Sequence, residues 1–232
     1  MIDFTDKKQV AKAIQYTDVN PNLTREGLLK HLEVCQKYDF QAAMIAPCYI
    51  SLAKEVLKGT GIEVASTLNF PQANDTLGMK LAALKEMIKE GVDQFDFPPN
   101  PGLLIGGEEK AYFEEIRQIV DLAHANGVVV KTMLEFGFLN EAQKIRATQL
   151  ACEAGIDWVK QSSGWGVGGC AATVEDVKMR KANIHEPTKV KVSGKVNTIE
   201  KMKAMFEAGA ELVGTSSGPA IVDGLAGDPN AY

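Results

Sequence analysis

Four stretches of the 232-residue chain end an apolar run on residues capable of chemistry: Asp96 in QFDF, Lys160 in WVKQSSG, Lys191 in KVKVSGK, and the GTSSG run from Gly214. Glu135, closing VVVKTMLE, is a weaker fifth. An ammonium in an apolar strand is costly to bury unpaired and tends to shed its proton. Two lysines brought side by side also repel, and with desolvation this drives one of them toward neutrality. A neutral lysine is a nucleophile that forms a Schiff base with an aldehyde or ketone, and the second lysine, left protonated, supplies the activating field. A carboxyl such as Asp96 then moves protons as the carbinolamine forms and breaks down. The SSG after Lys160, the SGK after Lys191 and GTSSG offer backbone N–H groups and hydroxyls to an anion, and their glycines let the backbone come close. A phosphorylated aldehyde or sugar is the substrate class these features imply.

Each feature has a plainer reading. Asp96 and Lys160 satisfy a simple internal salt bridge equally well. Lys191 shares its strand face with Lys189, so the pair also fits an outward orientation. Gly-Ser loops are common turns.

The chemistry requires elements that bring positions 96, 160, 191 and 214 together. TGIEVAST, EGVDQFDF, NGVVVKTMLEF, AGIDWVKQSS and AGAELVGTSS each read as a helix ending at a glycine with an apolar strand directly after it. Their glycines, 61, 91, 127, 155 and 209, recur at a β-α spacing, with HEPTKVKVSG from His185 as the start of one further unit. Asn140 and Gln143 resemble a capping box, and Ile199, Met202 and Phe206 share one helical face. Eight strands are predicted, at roughly 13–17, 42–46, 62–67, 93–97, 128–134, 156–161, 189–193 and 210–215. The expected fold is α/β, a (β/α)8 TIM barrel forming one domain over 1–232 with a short N-terminal helix. An open flavodoxin-like or Rossmann sheet is the alternative, against which stands the lack of GxGxxG after the first strand. In a barrel the strand ends named above meet at the C-terminal face, where a phosphate is often held near the seventh and eighth strands.

Composition limits the classes further. A net charge of −5 argues against a surface for nucleic acid. Cys35, Cys48, Cys152 and Cys170 are scattered without a CxxC pair, which reads as free thiols of a cytoplasmic chain. No stretch reaches the length of a membrane helix. His31, His124 and His185 fall in predicted helices or loops without ligand spacing, so neither a metal nor a metal-dependent aldolase is expected.

VKQSSGWGVGGCAAT is similar to the stretch around the Schiff-base lysine of the deoxyribose-phosphate aldolase family, KVSGKVNT resembles its KxxGG segment, and VGTSSG its phosphate-binding end. FQAAMIAPCYISLAKEVL, LNFPQAND and FDFPPNPGLLIGG extend the resemblance in colinear order over nearly the whole chain. The resemblance implies reversible cleavage of 2-deoxyribose 5-phosphate to glyceraldehyde 3-phosphate and acetaldehyde without a cofactor. It makes Lys160 the Schiff-base lysine, Lys191 its activator and Asp96 the acid/base partner. Gly164, Gly194, Lys195, Gly214, Ser216 and Ser217 become the substrate and phosphate contacts, with Tyr232 and Thr17 as auxiliary candidates, and a homodimer is expected. Four departures accompany it: Gln15-Tyr16-Thr17 where an Asp-His-Thr-like strand is usual, Lys195 at the second glycine of the phosphate loop, Gln161 in place of threonine, and Pro98-Pro99 after Asp96. An aldolase of the same chemistry acting on another phosphorylated substrate, or a non-catalytic phosphosugar-binding barrel, are the competing readings.

Overall fold

The computed structural model describes residues 2–224 and residue 227. Eight parallel strands close into a barrel in sequence order: β1 (Ile14–Asp18), β2 (Ala42–Ile45), β3 (Glu63–Thr67), β4 (Gln94–Phe97), β5 (Val129–Met133), β6 (Trp158–Lys160), β7 (Lys189–Ser193) and β8 (Leu212–Thr215). All eight predicted strands are present, and the open-sheet alternative is excluded by the pairing of β8 with β1. The short N-terminal helix is α1 (Lys7–Lys12).

The outer ring consists of α2 (Arg25–Tyr38), α3 (Ile50–Val56), α4 (Leu77–Lys89), α5 (Pro101–Ile105), α6 (Glu109–His124), α7 (Glu141–Glu153), α8 (Val174–Ala182), α9 (Ile199–Glu207) and α10 (Gly218–Asp223). Side-chain oxygens open several of them: Thr24, Thr76, Thr173 and Thr198 each accept from the backbone N–H of the third residue on. At α7 the Asn140–Gln143 box is complete in both directions. Gly91, Gly155 and Gly209 lie one residue beyond the helix caps in the left-handed region, the role read from the repeat. Gly61 instead follows a loop after α3, and α8 closes on Asn183 without a glycine.

Strand residues are buried on both sides, as in a sheet covered by helices. Outward residues such as Ile45, Val64, Phe95, Val130, Val159, Val190 and Val213 join the helices in one large core. Each contributes about 1.5–3 kcal/mol by leaving water. The barrel interior is different. Among the described residues, Ala42, Met44 and Ala65 form a small apolar cluster there, and the rest of its lining is largely polar or charged. No helix among the described residues is long and apolar enough to cross a membrane.

Candidate active site

Strand register dictates which side chains meet. Lys160 of β6 lies directly beside Lys191 of β7, and Asp96 of β4 beside Lys131 of β5. Neighbours at the same level of a sheet project to the same face, so all four enter the interior. Asp96 is completely buried, with Lys160 at 3% and Lys191 at 1% exposure. Asp96 Oδ2 lies 2.8 Å from Lys160 Nζ and 2.7 Å from Lys191 Nζ. One carboxylate oxygen therefore bridges both amines. Lys131 Nζ approaches the other oxygen, Oδ1, at 3.7 Å. Lys191 points inward after all; Lys189, on the same strand face, sits at the opposite mouth against Trp158 and Glu211.

The electrostatics follow from three ammoniums meeting one buried carboxylate. Burial alone would raise the Asp96 carboxyl, but Lys160, Lys191 and Lys131 together outweigh it and hold it well below the usual range. Burial drives Lys191 well below the ordinary lysine value; Asp96 opposes this, and the charges of Lys160 and Lys131 add to it. Lys131 is lowered to about 8, chiefly by burial. These groups interact strongly enough to titrate as one cluster.

The backbone under the two lysines is fixed from behind. Arg180 of α8, fully buried, donates through one nitrogen to the carbonyls of Val159 at 3.1 Å and Lys191 at 2.7 Å. It thus ties β6 and β7 to a single helix. The loop after Asp96 is held by a second buried cation: Lys80 Nζ contacts Glu115 at 2.7 Å, and Glu115 accepts from the Asn100 N–H at 2.9 Å.

Above the amines the barrel opens in two stages. Thr17, Val19, Met44, Phe70 and Met133 line a narrow space over Lys160 and Lys191. Beyond it lies a cleft of about 520 Å³, walled by Gly164, Trp165, Cys170, Gly194, Lys195 and Ser216 among others. Thr17 and Val19 border both. Phe70 and Trp165 meet edge to face at 5.8 Å, joining the wall of the inner space to that of the outer cleft. At Gly194 a Cβ would stand 2.8 Å from the Cys170 carbonyl, so only glycine fits.

No family model matches the chain. It is 39% identical over 215 residues to a deoxyribose-phosphate aldolase of Caldanaerobacter subterraneus subsp. tengcongensis, covering 92% of each chain. It is 38% identical over 217 residues to that of Thermococcus gammatolerans, covering 93% of this chain and 96% of the relative. The chain belongs to the deoxyribose-phosphate aldolase family. The fold matches that of a deoxyribose phosphate aldolase from Aeropyrum pernix, described as tetrameric, with a TM-score of 0.85 at 24% identity over 94% of this chain and 92% of that one.

Seen against the deoxyribose-phosphate aldolase pattern, the expected contacts divide. Gly164, Gly194, Lys195 and Ser216 border the outer cleft. Lys195 is exposed and holds φ 62°, the left-handed geometry that a glycine adopts freely and that costs a lysine about 1 kcal/mol. Gly214 lies deeper, where a Cβ would come within 3.2 Å of Lys191 Cε; its bareness makes room for that lysine. Ser217 is buried behind the cleft, its backbone N–H donating to Thr215 Oγ1 at 3.0 Å. Thr17 donates its hydroxyl to the Gln15 carbonyl at 3.0 Å. Gln161 is buried and donates its amide to the Ser193 carbonyl, and Tyr232 lies outside the described residues.

Sequence reasoning missed Lys131, Arg180 and the role of Glu135. The signal for Lys131 was its parity: it precedes Met133 by two in a strand beside Asp96. Glu135, in the left-handed region at φ 50°, accepts from Ser163 N–H at 2.7 Å and from the Ser163 and Ser162 hydroxyls. It clamps the loop that follows Lys160. Burial pushes its carboxyl up to about 7, although the serine bonds and Lys160 resist this. Because the folded carboxyl keeps its proton to higher pH than the unfolded one, the stability gained is complete below about 4.5 and is lost as pH rises through about 7. Glu135→Gln is uncharged throughout. Relative to the natural chain it should gain on the order of 3 kcal/mol between pH 5 and 8, read from urea unfolding midpoints. Parallel stability curves for the two proteins would refute the assignment.

Proposed function

We propose that the chain is a class I aldolase that reversibly cleaves 2-deoxy-D-ribose 5-phosphate to D-glyceraldehyde 3-phosphate and acetaldehyde through a Schiff base on Lys160. The observation that carries this reading is the single buried oxygen, Asp96 Oδ2, touched by both Lys160 and Lys191. A site with three ammoniums and one carboxylate is most stable after shedding one proton. Asp96 Oδ2 favours the charged form of Lys191, against the burial that lowers it. Lys160, in the segment similar to that around the family's Schiff-base lysine, is assigned the nucleophilic amine.

In this reading the Lys160 nitrogen attacks C1 of the open-chain sugar. Asp96 and Lys191 act as one proton-transfer unit that takes the proton from nitrogen and delivers one to the departing hydroxyl as water leaves. The resulting iminium draws electrons from the C2–C3 bond. That bond breaks as the C3 hydroxyl gives up its proton to the Asp96–Lys191 unit, which returns it to C2 in the next step, releasing glyceraldehyde 3-phosphate and leaving a two-carbon enamine on Lys160. Protonation at C2 and hydrolysis then release acetaldehyde and restore the amine. Low dielectric around the amines strengthens each charge effect in these steps.

The phosphate is assigned to the outer cleft. Gly164, Gly194 and Ser216 present backbone and hydroxyl donors there, and Lys195 adds a cation. Gly214 of β8 borders the inner space, Ser217 is buried just beyond that strand, and Thr17 lines the passage between amines and cleft. The proposed setting is cytoplasmic, supported by four free cysteines, and the proposed assembly is a homodimer.

Incubation with acetaldehyde, reduction with borohydride and peptide mass mapping test the reading. A reduced two-carbon adduct confined to the Lys160 peptide is expected. An adduct on the Lys191 peptide would exchange the two roles, and no adduct would leave a phosphosugar-binding barrel.

A further inference from the structure

Beneath the two amines lies a chain of three amides that the reaction described above does not use. Lys191 Nζ donates to Gln15 Oε1. Gln15 Nε2 passes to Gln94 Oε1 at 2.6 Å and to Gln41 Oε1 at 2.9 Å. Gln94 Oε1 also receives Lys131 Nζ. Gln94 Nε2 and Gln41 Nε2 both end on Glu63 Oε2, at 2.5 and 2.7 Å. Gln15 and Gln94 are buried, Gln41 is half-buried, and Glu63 is exposed at the far mouth.

Chemistry fixes the direction of every amide in this chain. An ammonium has only donors to give and a carboxylate only acceptors. Each carbonyl oxygen must therefore face the lysines, and each NH₂ must face Glu63. Partial negative charge is thereby presented to Lys191 and Lys131 without a net charge being placed in the interior.

The charged groups facing the amines can be named strand by strand. They are Asp96 on β4, Lys131 on β5 with Glu135 at its end, Lys160 on β6 and Lys191 on β7, with Glu63 at the base of β3, Asp157 just before β6, whose charge reaches Lys131, and the Lys189–Glu211 pair at the same lower mouth. The inward residues of β1 and β2, Gln15, Thr17, Ala42 and Met44, are uncharged, as are Leu212 and Gly214 of β8. Asp96 is thus the one carboxylate in contact with the amines among the described residues.

We propose that Gln15 is a positioning residue that sets the proton affinity of the lysine pair, holding the Lys191 ammonium with a neutral carbonyl so that the cluster keeps one positive charge in excess. The inference rests on the Schiff-base reading, and it assigns a function to a residue type at which this chain departs from the family pattern. A carboxylate at the same position would hold Lys191 equally well in space. It would also offset part of the excess charge, so that the lysine pair would shed its proton at a higher pH.

Gln15→Glu and Gln15→Met, both of similar length, test this. The direct readout is the pH titration of lysine 13Cε and 15Nζ NMR signals, assigned through Lys160→Arg and Lys191→Arg samples. Gln15→Glu should raise the cluster's lowest amine midpoint by about one pH unit or more, and shift the acidic limb of kcat/KM for deoxyribose 5-phosphate cleavage upward by the same amount. Gln15→Met should lower the Lys191 midpoint, because an acceptor is lost and no charge is gained. A residue serving only as packing would change rates without moving either midpoint, and unchanged midpoints in both variants overturn the inference. Should the natural chain yield no trapped adduct while its midpoints still move in the variants, the Schiff-base reading fails and the charge-setting role of Gln15 stands.

Discussion

Lys160→Ala is expected to reduce deoxyribose 5-phosphate cleavage by a factor of about 10⁴ or more and to eliminate the borohydride-trapped adduct. The loss is large because the covalent route disappears entirely, and the remaining groups cannot polarise an aldehyde to the same degree. Folding should survive the change. Removing the uncharged amine strands no ion in the interior, and Asp96 keeps its 2.7 Å contact with Lys191. Thermal unfolding separates the two effects: a folded variant without adduct supports the assignment. A folded variant that still cleaves the sugar at more than about one hundredth of the natural rate would show that another amine carries the reaction.

Lys191→Leu has the second largest expected effect, and its signature is a pH dependence. With one cation fewer, the Lys160 amine needs a higher pH to shed its proton. The value of kcat/KM at pH 7 should fall by about 10²–10³, with partial recovery above pH 9. Full activity at neutral pH would remove Lys191 from the mechanism. An equal loss at every pH would make it a structural residue. Stability should fall by about 1–3 kcal/mol, since buried Gln15 Oε1 loses its donor while Asp96 keeps Lys160 at 2.8 Å.

The fold was legible because it is a repeat. Several of the β-α units carry a glycine stop followed at once by an apolar strand, and eight such strands in succession leave few ways to arrange a parallel sheet. The strand ends that carry Asp96, Lys160 and Lys191 could be read for the same reason, because position in the unit fixes position on the barrel. What a single unit cannot reveal is which residues meet across it. Lys131 and Asp96 are 35 positions apart in sequence and become neighbours only through the β4–β5 register. Arg180 lies on a helix whose pattern looks like any charged surface turn, yet it reaches under α8 to two strand carbonyls. Gln15 stood out in sequence as a departure from the family pattern. Its meaning emerged only from the three partners its amide finds in space.

The pairing of β8 with β1 constrains how copies of this chain can associate. Every strand already spends its backbone donors and acceptors on two neighbours, so no subunit can be recruited by extending the sheet. Any oligomer must be assembled from helix faces and loops. Dissociation on dilution should accordingly leave the hydrogen-bonded wall around Lys160 and Lys191 unbroken.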